Sequence, residues 1–150
     1  MSAIDTVNNF VTALDAGKFD AVEESLDNNF FFGGWTPETL DKSQFLTLIR
    51  GLKAGIPDLS FNIHDLVEIR GTTTIQSTMQ VTGTQTGTID LSTLRIPPVQ
   101  LTGRSISLPP ENVVFGVAIN RITRMNVTPE SGGGLQGLLQ QLGVQSPTLP

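Results

Sequence analysis

Between Ile4 and Leu14 apolar residues return every three or four positions: Ile4, Val7, Val11 and Leu14 fall in one stripe, with Phe10 beside it. That spacing predicts an amphipathic helix. Ser2 and Asp5 stand at cap and third position, a capping-box pair, and Gly17 supplies a left-handed stop. A shorter helix follows, with Asp20 and Glu23 as its expected cap pair and Val22 and Leu26 facing inward. A third begins at Asp41, paired with Gln44. It presents Phe45, Leu48, Ile49 and Leu52 on one face and ends before Gly55 and Pro57. Between the second and third lies NNFFFGGWTPE, in which Gly33 and Gly34 break the chain. It reads as an aromatic loop wrapped over a core or lining a cavity.

From residue 59 the period changes to two. LSFNIHDLVEI predicts a strand with Leu59, Phe61 and Ile63 on one face. TTTIQSTMQVTGTQTGT predicts a long one, since β-branched residues suit a pleated surface. Ile75, Met79 and Val81 share its apolar face and Gln85 continues it; Thr74, Gln76, Thr78, Gln80 and Thr82 make the opposite, polar face. Residues 90–100, with Pro97 and Pro98, read as an excursion between strands. LTGRSISL and VVFGVAI predict two more strands. A tight turn at Asn120-Arg121 leads into ITRMNVT, with Ile122, Arg124 and Asn126 on one face. After the break ESGGG, LQGLLQQLG predicts a final short helix, and QSPTLP a mobile end.

Helices first and strands after is an α+β pattern, with the helices covering one face of a curved antiparallel sheet. The 150 residues fit one domain, placed at 1–144 with a tail at 145–150. The absence of cysteine removes disulfides and thiolate chemistry, and a lone histidine removes a multi-His metal site within one chain; no metal site is expected. The net charge is −5, concentrated early: residues 1–70 hold eleven acids and five bases, residues 71–150 three acids and four bases. No basic stripe is available to neutralise phosphates, so nucleic acid is not an expected partner. No run is apolar for the length of a membrane span, and the opening MSAIDTVNNF lacks a secretory pattern, so a cytoplasmic location is expected.

Three stretches, in this order, carry a resemblance. KSQFLTLIRGLKAGIPDLSFNIHDL looks like the helix, Pro-Asp and strand of the SnoaL-like polyketide cyclases, in the nuclear transport factor 2-like superfamily. VTGTQTG sits where those proteins commonly have Gly-Thr-His-x-Gly, and GLLQQLG is similar to their C-terminal Leu-Leu-x-Gln-Leu-Gly. The opening helix with Gly17-Lys18-Phe19-Asp20 fits as well. The resemblance implies a cone of helices on a strongly bent antiparallel sheet, an apolar pocket within and a homodimer. The implied activity is a cyclase or isomerase acting on an apolar, carbonyl-bearing small molecule without cofactor. An Asp would serve as acid/base and a His would support it.

The chain departs from that pattern at both positions. Gln85 stands for the His, and its amide cannot take up a proton near neutral pH. The Asp position falls near Gly134, and the nearest acid is Glu130, in an apparent insertion TPESGG. Glu130 and Asp90 are thus the candidate catalytic acids. Gln85 is either a pocket or mouth residue or a residue bonding its strand-end neighbours. Trp35, Asn126 and Phe31 join it as candidate ligand contacts, Trp35 as a lid with one N–H donor or as ordinary core. His64, opposite Phe61 and Ile63, reads as a surface or subunit-contact residue. With no tyrosine, a Tyr oxyanion donor is excluded, and no acids flank Arg121 and Arg124 as an Asp-Arg-Asp set would need. Two functions remain: the small enzyme, and a non-catalytic ligand-binding or dimeric assembly module on the same scaffold.

Overall fold

The computed structural model describes residues 2–91, 99–100, 102–128 and 130–143; Pro97, Pro98 and the tail 145–150 lie outside them. The first helix, α1 (Ala3–Ala16), is opened by the expected capping box: Asp5 N–H donates to Ser2 Oγ at 3.1 Å and Ser2 N–H to Asp5 Oδ2 at 3.3 Å. It stops at Gly17, whose φ of +72° lets the Lys18 N–H reach back to the Ala13 carbonyl at 2.9 Å. The next helix, α2 (Phe19–Ser25), starts at once, from Lys18, without the expected Asp20–Glu23 cap. The end of α1 already delivers the chain into it, so no side chain is needed.

At Leu26 the backbone turns extended and β1 (Leu26–Gly33) begins. The expected loop is therefore a strand. Phe30 and Phe32 point into the core and Phe31 out, 39% exposed. Three consecutive Phe hide the period of two that the backbone obeys. A two-residue strand, β2 (Leu40–Asp41), pairs with β1, and Asp41 caps α3 (Lys42–Gly55) through the predicted reciprocal bonds with Gln44, 2.9 and 3.0 Å.

The remaining strands are β3 (His64–Glu68), β4 (Thr74–Met79), β5 (Thr82–Thr84), β6 (Ser105–Ser107), β7 (Glu111–Ala118) and β8 (Arg121–Thr128); α4 (Gly134–Gln141) follows them. The six-stranded sheet runs β2-β1-β8-β7-β4-β3, and β5-β6 form a second, two-stranded sheet. The predicted long strand thus divides between the two. Across from that division, Pro109 and Pro110 lack the N–H a ladder needs, so the partner chain breaks as well. The sheet is not antiparallel throughout: β1 and β8 are parallel, Phe32 level with Met125. Helices and a mixed open sheet make an α+β fold.

Three further expectations shift. Leu59, Phe61 and Ile63 are buried as predicted, but positive φ at Asn62 (+44°) breaks the chain before β3, which spans 64–68, and positive φ at Asp65 (+57°) accompanies a register shift within it, between His64 and Val67. The hairpin turn lies one residue earlier than expected, at Ile119 (φ +50°) and Asn120 (+62°), closing on the Ala118–Arg121 pair. In β8 the register slips at Thr123, between the Gly116–Arg124 and Val117–Ile122 pairs. That bulge turns Ile122 inward with Met125 and Val127 and leaves Arg124 and Asn126 half-exposed on the other face.

The core joins α1 and α3 to the sheet through aromatic contacts. The Phe45 ring lies 4.9 Å from Phe32 and 5.2 Å from Phe30, and Phe10 meets Phe115 edge-on at 5.9 Å. Gly34 lets the chain leave β1 against β8. Its φ is +88°, and a Cβ there would sit 1.8 Å from the Val127 carbonyl oxygen. Among the described residues no helix is long and apolar enough to cross a membrane.

Candidate functional site

Along β7, Glu111, Val113, Phe115 and Val117 alternate inward. The first of these is an acid. Glu111 is 1% exposed, at the end of the sheet where α4 begins. Its Oε1 accepts a long bond, 3.4 Å, from the Gly134 N–H at the start of α4. The Gly133 backbone lies against the other oxygen, so that a Cβ there would fall 2.9 Å from Oε2.

Burial raises the Glu111 pKa above the ordinary carboxylate value; the Gly134 and Glu130 backbone N–H groups and the Trp35 indole pull it down in part, and the Glu130 charge pushes it up again. Desolvation dominates because few donors compensate it. Trp35 is 3% exposed and its ring centroid lies 6.3 Å from that of Phe32. The Trp35 carbonyl accepts from the Leu135 N–H at 2.9 Å, tying the aromatic segment to α4. The indole acts on the Glu111 carboxylate, yet neither Trp35 Nε1 nor Glu111 Oε2 completes a hydrogen bond. One buried donor and one buried acceptor are left over in one place.

Gln85 is the opposite case. It is fully buried. Its Nε2 donates to the carbonyls of Gly87 (3.0 Å) and Gln100 (2.9 Å), with a longer contact to Val99 (3.4 Å). Its Oε1 accepts from Thr102 Oγ1 (2.6 Å) and Thr102 N–H (3.2 Å). Every polar atom of the amide is occupied in joining the two arms of the excursion after β5.

Of the residues singled out in the sequence, Trp35 lies at the Glu111 site, and Glu130 contributes its charge and backbone while remaining exposed. The others lie elsewhere. Asp90 is exposed, its backbone carbonyl packed where a Gly51 side chain would be. Asn126 lies over Gly33 on the sheet's outer face. Phe31 is on that face too, level with Arg124. His64 is exposed, with Nε2 3.8 Å from Asp65 Oδ2; the positive φ at Asp65 places two neighbours on one side that strict alternation would separate. Glu111 was missed, although its signal was present: counting back by twos from Phe115 puts it inside.

A surface cleft of about 510 Å³ opens between α2, β1 and the first half of α3. Glu23, Asn28, Lys42, Thr47 and Arg50 are among its lining residues, and it shares none with the Glu111 neighbourhood. Among the described residues no three His, Cys, Asp or Glu side chains gather closely enough to hold a metal ion.

No family model and no curated protein matches the chain. Solved structures do. The chain is similar to a candidate SnoaL-like polyketide cyclase from Jannaschia, at 16% identity over 96% of this chain and 93% of that one, TM-score 0.71. A candidate polyketide cyclase from Xanthomonas campestris pv. campestris gives 19% identity over 93% and 96%, TM-score 0.67. A Mycobacterium tuberculosis LEH-like epoxide hydrolase gives 18% over 94% and 92%, TM-score 0.66. What these proteins share with the chain is the fold. The resemblance read from KSQFLTLIRGLK, VTGTQTG and GLLQQLG holds at that level, and the nuclear transport factor 2-like architecture is the one observed.

Proposed function

We propose that the protein is a cofactor-free acid–base enzyme acting on an apolar carbonyl compound, an isomerase or cyclase, with Glu111 as the proton-transfer group. The observation that carries the reading is one buried carboxylate with a raised pKa and an unpaired oxygen. Such perturbation is what a carboxylate needs to work near neutral pH. The ionised Glu111 takes a proton from the carbon next to the carbonyl, and the C–H electron pair moves toward the carbonyl oxygen. The protonated acid then returns the proton, either to another carbon (isomerisation) or to the alkoxide formed when the enolate carbon attacks a second carbonyl (ring closure). Structures sharing the fold include candidate polyketide cyclases, in keeping with that chemistry.

The test is substrate-tolerant. In D2O, exchange of α-hydrogens in a panel of apolar enolisable ketones is followed by NMR. The wild type is expected to accelerate exchange for at least one member, and Glu111→Gln to slow it by about 10²–10⁴-fold. Equal rates in the two proteins would sink the proposal. A second reading, a module that holds a ligand or assembles without chemistry, is favoured by Gln85, whose amide is spent within the fold. It predicts no exchange with any ketone.

A further inference from the structure

We infer that Trp35 Nε1–H and Glu111 Oε2 form a two-point clamp for a single hydroxyl oxygen, and that the site's ligand is an apolar molecule bearing an enol or phenol hydroxyl. Both atoms are buried, on side chains 3% and 1% exposed; the indole faces the carboxylate, yet neither Trp35 Nε1 nor Glu111 Oε2 completes a hydrogen bond. A buried polar atom left unpaired costs about 1–3 kcal/mol, so the pair favours whatever completes it. The two demands are complementary. The indole can only donate and the ionised carboxylate can only accept. A group that satisfies both must accept one hydrogen bond and donate another, which a hydroxyl oxygen does. An ether or an isolated carbonyl accepts from Trp35 but has nothing to give Glu111; a carboxylate ligand would meet Glu111 charge to charge.

The surroundings fix the rest of the ligand. Phe32 packs on Trp35 and makes one wall apolar, and the Glu130 charge that reaches Glu111 disfavours a second anion. The turn that leans on Glu111 contains Gly132, Gly133 and Gly134, two of them at positive φ (+83° and +70° at Gly132 and Gly134). The inference rests on the proposed function in one respect: an enol is what proton removal beside a carbonyl produces. A phenol has the same hydroxyl on an sp² carbon and cannot turn over.

Trp35 is the only tryptophan, so the protein has one indole N–H signal. The experiment titrates ¹⁵N-labelled full-length protein with 2-naphthol and with 2-methoxynaphthalene, which keeps the rings and loses the donor. The expected result is a saturable downfield shift of the indole proton with naphthol, and binding of the methyl ether at least tenfold weaker. Glu111→Gln keeps the reporter and is expected to weaken naphthol binding about tenfold or more. Trp35→Phe is expected to do the same by calorimetry; Glu111→Gln carries the test if the Phe variant does not fold. An unmoved indole signal, or equal binding of naphthol and its ether, overturns the clamp. If Glu111→Gln abolishes ketone exchange while naphthol leaves the indole unmoved, the clamp fails and the proposed function stands. If naphthol is held as described while exchange is unaffected by Glu111→Gln, the clamp stands and the proposed function fails.

Discussion

Gln85 and Glu111 are both buried polar residues in an apolar core, and they are treated in opposite ways. The Gln85 amide is saturated: two close backbone carbonyls at 3.0 and 2.9 Å on one side and both donors of Thr102 on the other. Glu111 holds a long bond from Gly134 and feels the Glu130 N–H and the Trp35 indole, yet its Oε2 and the indole N–H complete no hydrogen bond. A satisfied buried group fixes a conformation, whereas an unsatisfied one stores a preference for something not yet bound. By that difference Gln85 matches the second of its two sequence readings, an amide bonding its neighbours, and the proposed chemistry rests on Glu111, which lies outside the motif positions.

The largest effect that would break this contrast is on stability. Gln85→Ala leaves the Gly87 and Gln100 carbonyls and both donors of Thr102 without their amide partner and should cost on the order of 3 kcal/mol in urea unfolding. A loss below about 1 kcal/mol would mean the excursion is not held by the amide. Glu111→Gln should show no such cost, and its effect should depend on pH. The folded-state pKa of Glu111 is raised above the ordinary 4.5, so the native state binds the proton more tightly than the unfolded chain. The wild type therefore loses stability from Glu111 as pH rises through about 4.5 to beyond the folded pKa, and recovers it on acidification. Relative to wild type, Glu111→Gln should gain stability across that rise; a pH-independent difference would remove burial as the cause. The smallest effect lies far from both groups. Ile119 is β-branched, 94% exposed and held at φ +50°. Ile119→Asn suits that turn and should stabilise the protein by about 1 kcal/mol. Added to the Gln85 variant it should do so additively, confirming that the larger loss is local.

What could be read in the sequence followed the range of the interactions. The caps of α1 and α3 are formed between residues three apart, Ser2 with Asp5 and Asp41 with Gln44, and were legible in full. The inward face of β4 was equally plain, since Ile75 and Met79 needed only a period of two. The Asp20–Glu23 cap does not form because the preceding turn already does its work, and β1 reads as a loop in the sequence because Phe30, Phe31 and Phe32 erase their own alternation. The site was half legible. Trp35 and the parity of Glu111 were available, but their meeting depends on β1, β7 and α4 converging, and no local pattern encodes that. The same holds for Gln85, whose partners Gln100 and Thr102 return to it only after the excursion.

The parallel pairing of β1 with β8 has a consequence for the order in which the molecule is made. On the ribosome β1 emerges early, and its one neighbour apart from the short β2 is the last strand of the sheet. Until Arg121–Thr128 has been synthesised, the Phe30-Phe31-Phe32 strand has one edge with nothing to pair with. The sheet can therefore be completed only once nearly the whole described chain is available, and a nascent chain stalled before β8 would present an aromatic strand as a template for aggregation.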